Sequence, residues 1–295
     1  MNMLEMKNVT KTFGDFKALD DLTMTVPKGT VYGLVGPNGA GKSTAIRHLT
    51  GVYRPDCGEI TMEGQPIYEN PVQKERIASI PDEIFHFPSA TMEEMHKYYK
   101  GIYPNFDEDL YQRLYEVFNL PRKGQIRRFS KGMQKQAAFH LSICCRPDVL
   151  ILDEPVDGLD PVMRRQVWSL ILSDVAQYET TVLVSSHNLR ELEDVCDHVG
   201  IMDHGKMLLE RSLADMQGAT CKLQLVGDVP EGLNILHESN SGRLKTLIIR
   251  ASTQETIARV QATNPIYFDV LPLSLEEIFI YELGGVNYEV KNIVL

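Results

Sequence analysis

Residues 36 to 43 read Gly36-Pro37-Asn38-Gly39-Ala40-Gly41-Lys42-Ser43, directly after the apolar, β-branched run Val31 to Val35 and directly before the helix-forming stretch Thr44 to Leu49. No other segment constrains the fold as strongly. A G-x-x-x-x-G-K-[ST] spacing between a strand and a helix lets the backbone curl until successive N–H groups face one point, where the helix N-terminus adds a dipole favourable to an anion. Phosphate is the anion that this spacing suits. Lys42 would neutralise its outer charge, and the Ser43 hydroxyl would be a ligand for magnesium. The competing reading, a glycine turn with a surface lysine, does not account for the strand before the loop or the helix after it.

Short β-branched runs alternate with helical patterns along the first two thirds of the chain, the mark of a mostly parallel sheet covered by helices. Besides Val31 to Val35, the strands expected are Ile77 to Ile80, Val149 to Leu152, Thr181 to Ser185 and Val199 to Met202. The run at 149 ends in Asp153-Glu154, and a buried parallel strand delivers its C-terminal residues to the sheet edge where open α/β folds bind ligands. Asp153 would hold the magnesium and Glu154 would act as general base on a water. An ordinary strand end with solvated charges is the alternative for this pair taken alone. Asp160-Pro161 opens a helix whose apolar stripe is Met163, Val167, Leu170, Ile171 and Val175, with Trp168 expected at its edge.

Residues 84 to 120 are instead rich in Met and aromatic residues and broken by Pro88, Pro104 and Pro121, so a helical insertion is expected over about 84–145. After Gly218 the pattern changes again. Strands are expected at Lys222 to Val226, Leu244 to Ile249 and Ile266 to Leu271, helices at Glu255 to Ala262 and from the capping box at Ser274. Residues 219–295 therefore read as a small α+β domain, and 1–218 as the main one.

Composition excludes several classes. Thirty basic residues against forty acidic ones leave a net charge of −10, which argues against broad capture of a nucleic-acid backbone. The five cysteines, Cys57, Cys144, Cys145, Cys196 and Cys221, include no C-x-x-C pair, so neither a structural zinc site nor a disulfide framework is expected. No run approaches 18 apolar residues and the N-terminus lacks the apolar core of a signal peptide, so the chain is expected neither to span a membrane nor to be secreted.

Between the loop and the Asp-Glu strand lies Phe129-Ser130-Lys131-Gly132-Met133-Gln134, inside a stretch, Arg122 to Lys135, with six basic residues and no acid. The helical run expected from Lys135 to Cys144 makes this a second candidate anion site. With these motifs in this order, residues 1–218 resemble the ATP-binding subunits of ABC transporters of the bacterial exporter-like type. The resemblance implies an α/β fold with a P-loop NTPase core: a mostly parallel sheet with an antiparallel β edge, an inserted helical subdomain and a small C-terminal α+β domain. It also implies ATP and Mg²⁺ as cofactors, ATP hydrolysis coupled to transport, a membrane-spanning partner subunit, a second ATPase subunit, and a peripheral place on the cytoplasmic face of the cell membrane.

Residue by residue, the resemblance makes Phe13 the aromatic that stacks on adenine, and Gly36, Pro37, Asn38, Gly39, Ala40, Gly41, Lys42, Ser43 and Thr44 the phosphate loop. Ser130, Lys131, Gly132 and Met133 stand for the family signature, commonly L-S-G-G-Q, and Asp157 to Asp160 for the D-loop, with Asp160 at the subunit interface. His187, in V-L-V-S-S-H, matches the histidine that contacts the terminal phosphate, and Glu154 remains the base. Asp82 stands where the family usually has Gln, and would be a third magnesium-side ligand. Packing beneath the N-terminal sheet is the competing reading for Phe13. Phe85, Phe87, Tyr98, Tyr99 and Tyr103 are expected to help form a groove for a helix of the membrane partner, with core packing as the alternative. The C-terminal L-S-L-E-E-I-F resembles tails on exporter subunits, which favours export. The rival function is a soluble ABC ATPase acting on nucleic acid or an assembly complex. Only 88 residues separate Lys42 from Ser130, too few for the long coiled coil of the chromosome-structuring type.

Overall fold

In the computed structural model, which describes residues 1–84 and 87–283, an N-terminal hairpin of β1 (Asn2–Phe13) and β2 (Phe16–Pro27) leads into β3 (Val31–Val35) and α1 (Lys42–Leu49). β4 (Cys57–Met62), β5 (Gln65–Pro66) and the single turn α2 (Pro71–Lys74) precede β6 (Ile77–Ile80). Three helices follow, α3 (Met92–Ile102), α4 (Glu108–Phe118) and α5 (Lys131–Cys144), then β7 (Val149–Asp153), α6 (Pro161–Tyr178) and β8 (Thr181–Ser186). After α7 (Leu189–Glu193) come β9 (His198–Asp203) and β10 (Lys206–Ser212). The remaining elements are α8 (Leu213–Ala219), β11 (Cys221–Val226), β12 (Ile235–Ser241), β13 (Leu244–Ile249), α9 (Thr253–Gln261), β14 (Tyr267–Pro272) and α10 (Leu275–Leu283).

A six-stranded sheet runs β10-β9-β3-β8-β7-β6, with β3–β8, β8–β7 and β7–β6 parallel. Every residue of β3, β7 and β8 is buried, because both faces of a parallel sheet are covered. All five expected core strands form within a residue of their expected bounds. The antiparallel edge is a second sheet, β2-β1-β4-β5. Leu4, Met6, Leu22 and Met24 of that sheet share one core with Leu34, Ile151 and Leu183 and with Ile46 and Leu49 of α1, so the phosphate-loop helix is clamped between the two sheets.

Helices α3 to α5 have a core of their own, with Met92, Met95, Tyr111, Leu114, Phe118 and Leu141. α5 begins at Lys131, four residues before the helical run expected from Lys135. Ser130 Oγ accepts a bond from the Met133 N–H at 3.2 Å, and that cap carries the helix through Gly132. In α6 the buried residues are Val167, Trp168, Ile171 and Asp174, with Trp168 at the edge of the stripe, where the next positions round the helix, Arg165 and Leu172, are exposed. The Asp174 carboxylate is bound there by Arg146 at 2.7 Å and Thr180 at 2.9 Å.

By the density of internal contacts the chain divides into two units, residues 1–187 with 200–210, and residues 188–199 with those from 211 onward. The second unit carries an antiparallel sheet, β12-β13-β11-β14, over a core of Leu223, Leu225, Leu247, Ile249 and Val260. The strand expected from Ile266 starts at Tyr267, and β12 was not expected because its residues are mostly polar and exposed. Among the described residues no helix is long and apolar enough to cross a membrane.

Candidate functional site

Residues 36–43 turn from β3 into α1 with two glycines in places that no side chain could share. A Cβ on Gly36 would lie 2.3 Å from the Met202 carbonyl oxygen, and Gly41 caps α1 at φ +105° with the Ala18 carbonyl oxygen 2.7 Å from where its Cβ would be. The unpaired N–H groups at the start of α1 therefore open onto a cleft of about 260 Å³. Residues 37–44 line it together with Asp82, Asp153, Glu154, Phe16 and Ala18.

Lys42 is folded onto its own loop, Nζ donating to the Gly36 carbonyl at 2.6 Å, and lies 3.8 Å from Glu154 Oε1. Burial lowers the pKa of its ammonium against the pull of Glu154 and Asp153. Asp153, at the end of β7, is buried and accepts a short hydrogen bond from Ser185 Oγ of β8. The next residue, Glu154, leaves the strand at φ +48°, its N–H donating to Ser185 Oγ at 3.1 Å. Its Oε2 accepts from His187 Nδ1 at 2.9 Å. Burial raises the Glu154 carboxyl above the ordinary carboxylate range, with His187 and Lys42 opposing. The structure thus brings together a phosphate cradle, a lysine, two carboxylates and a histidine drawn from β3–α1, β7 and β8.

A family model described as "ABC transporter" matches residues 19–157. The ABC transporter ATP-binding protein YtrB of Bacillus subtilis (strain 168) is 30% identical over 288 residues, 96% of this chain and 99% of the relative. This chain belongs to the ABC transporter ATP-binding proteins. It is the ATP-binding, ATP-hydrolysing subunit of an ABC transporter, a family whose ATPase subunits work with membrane-spanning partners. A Nod factor export ATP-binding protein I from Burkholderia lata (strain ATCC 17760 / DSM 23089 / LMG 22485 / NCIMB 9086 / R18194 / 383) is 29% identical over 95% of this chain and 97% of its own length. Among solved structures, an ATP-binding subunit of an ABC transporter superposes with a TM-score of 0.68 at 28% identity, covering 73% of this chain and 92% of that one.

Within this ABC ATPase the remaining site residues fall into other places. Phe13 does not line the cleft: its ring meets Tyr53 edge-on at 5.5 Å, while Phe16, its partner across the β1–β2 turn, is 63% exposed and does line it. Ser130, Lys131, Gly132 and Met133 form the first turn of α5, away from the cleft lining and next to Leu159, which a Cβ on Gly132 would meet at 3.6 Å. Asp160 caps α6, accepting from the Val162 and Met163 N–H groups at 3.0 Å each. Of the insertion aromatics, Tyr99 and Tyr103 stack on each other at 5.7 Å and Tyr99 packs on the helical core, whereas Phe87 and Tyr98 pair edge-on at 5.5 Å and remain exposed. Phe85 lies outside the described residues.

Two residues of the site carry no mark in the sequence. Ser185 sits one residue before Ser186 in the same V-L-V-S-S-H run, and neither serine is distinguishable without the strand register. Phe16 is hidden by Phe13 at the other end of the same turn.

Proposed function

We propose that ATP lies in the cleft with its phosphates on backbone N–H groups between Asn38 and Thr44 and on Lys42, and that Glu154 is the general base. The Glu154 base would take a proton from a water whose oxygen attacks the terminal phosphorus, as the bond from that phosphorus to the ADP oxygen breaks. The observation that carries this reading is the position of the Glu154 carboxylate on the cleft wall, between His187 and Lys42. Ser43, Asp153 and Asp82 offer hydroxyl and carboxylate oxygens on that wall, a donor set that suits a hard divalent cation. Magnesium held there would neutralise charge on the phosphate oxygens. His187 would orient the base and contact the terminal phosphate, and Phe16, exposed on the cleft wall, would meet the adenine in the role expected of Phe13, whose ring is turned to Tyr53.

A second subunit, identical or paralogous, would bring its Ser130, Lys131, Gly132, Met133 and Asp160 to the same nucleotide. Phe87 and Tyr98 would receive a helix of the membrane-spanning partner, placing the subunit on the cytoplasmic face of the membrane. The Nod factor export relative supports export as the direction. Residues 1–218 would then be the ATPase domain and 219–295 an accessory domain without a part in the chemistry. Nucleotide binding and steady-state turnover of Glu154→Gln test the reading: loss of hydrolysis with ATP binding retained supports it, and hydrolysis at the wild-type rate removes Glu154 as the base.

A further inference from the structure

Glu154 holds a backbone conformation that its sequence opposes. Its φ of +48° lies in the left-handed region, which a non-glycine residue enters only at a cost in strain. The following residue is Pro155, whose ring crowds helical conformations of the residue before it and favours extended backbone. Such a conformation persists only where its surroundings hold it.

Two groups hold it. On the amino side the Glu154 N–H is taken by Ser185, through Oγ at 3.1 Å and the carbonyl oxygen at 3.3 Å. On the carbonyl side the main partner is Lys135 of α5, whose Nζ donates to the Glu154 oxygen at 2.8 Å and to the Asp157 oxygen at 2.8 Å. The Asp157 N–H also reaches that carbonyl, at a longer 3.4 Å. Lys135 is 8% exposed, so its charge has been taken out of water and is met by carbonyl dipoles. Burying an ammonium costs stability. An apolar side chain would pack α5 against the loop without that cost, but it could not fix the direction of the Glu154 peptide.

We propose that Lys135 is a positioning residue for ATP hydrolysis, its ammonium locking the Glu154 and Asp157 carbonyls so that the Glu154 carboxylate points at the cleft. The proposal rests on the reading of Glu154 as the base. Because Lys135 is four residues beyond Lys131, one turn along the same helix, it also ties the Ser130–Met133 turn mechanically to that carboxylate.

The test uses the full-length chain with Lys135→Met, which keeps the length and removes the donors, and Lys135→Arg, which keeps donors and charge, each with and without Glu154→Gln. Lys135→Met is expected to lower kcat about 10- to 100-fold with KM for ATP within about twofold, as displaced orienting groups do. Lys135→Arg should recover most of the loss. In the Glu154→Gln background Lys135→Met should cause no further loss, because a residue acting only through Glu154 has nothing left to position. Should Lys135→Met fail to fold, Lys135→Gln, with a shorter single donor group, carries the same comparison. A folded variant lacking the ammonium that turns over at the wild-type rate, or a loss that simply adds to that of Glu154→Gln, overturns the proposal. If Glu154→Gln itself turns over normally, the reading of the base fails and the positioning role falls with it. If only the Lys135 variants do so, the base stands and Lys135 alone is excluded.

Discussion

The Glu154 carboxylate is shared: Oε2 accepts a 2.9 Å hydrogen bond from His187 Nδ1, and Oε1 lies 3.8 Å from Lys42 Nζ. Burial nevertheless wins over both partners, since the carboxyl is raised above its ordinary value and the Lys42 ammonium is lowered. This is the electrostatic state wanted in a general base, whose efficiency grows as its pKa approaches the working pH.

The pH dependence of turnover follows from that shift. Only ionised Glu154 can accept a proton, so kcat should fall on the acid side with a midpoint above the ordinary glutamate pKa of about 4.3. His187 pulls the carboxyl down, so His187→Ala should move the acid limb of any remaining activity to higher pH. A limb at or below the ordinary carboxylate value, read from steady-state rates, would show that Glu154 does not control it.

Lys42→Ala should weaken ATP binding while leaving the fold intact, because the ammonium contacts loop carbonyls that water can reach through the cleft. Loss of one charge-assisted contact costs about 1.5–3 kcal/mol, about 10- to 150-fold in Kd. Calorimetric titration checks this, and unchanged affinity would contradict the phosphate-loop assignment.

Arg146 is expected to be a stability hot spot rather than a catalytic one. Its guanidinium bonds Asp107 Oδ2 at 2.7 Å and Asp174 Oδ1 at 2.7 Å and stacks 4.0 Å from the Tyr178 ring, bridging α4 and α6. Burial already raises the Asp174 carboxyl. Arg146→Ala would leave that acid short of its partner and should cost about 3–5 kcal/mol in denaturant unfolding. A loss under 1 kcal/mol, about the worth of a surface ion pair, would mean that the network is dispensable.

His140 should make the helical subdomain acid-labile. Its Nε2 donates to the Tyr111 carbonyl at 2.7 Å, Nδ1 is buried with no hydrogen-bond partner among the described residues, and burial lowers its pKa to about 4. The unfolded chain takes up the proton near pH 6.5, whereas the folded one resists until about pH 4. Stability is therefore complete above the unfolded value and declines as pH falls between the two, by about 3 kcal/mol in all. Thermal unfolding followed across that range should show a steeper decline for wild type than for His140→Leu; parallel curves would assign the acid sensitivity elsewhere.

Local pattern by itself determined the glycine loop between β3 and α1, the five core strands and the Asp153-Glu154 strand end. Each of these is written within about ten consecutive residues, where glycine spacing, apolar runs and caps act directly on the backbone. The same locality explains the misses. β12 carries mostly polar, exposed residues, so nothing in its pattern marks a strand until β13 pairs with it. The true start of α5 depends on a single serine cap, four residues before the apolar periodicity becomes visible.

Tertiary structure decided which neighbours share the site. Phe13 and Phe16 are equivalent as sequence, yet the turn between β1 and β2 sends Phe13 to Tyr53 and Phe16 to the cleft. Lys135 is one of six cations in a basic stretch, and only the packing of α5 against the turn after β7 directs its amine to two carbonyls 19 and 22 residues further along. Ser185 reaches Asp153 and the Glu154 N–H across 32 and 31 residues, through the parallel pairing of β7 with β8. Composition and periodicity act on a residue's own segment, whereas hydrogen-bond partners so distant in the chain exist only once the sheet and its covering helices have fixed their separation.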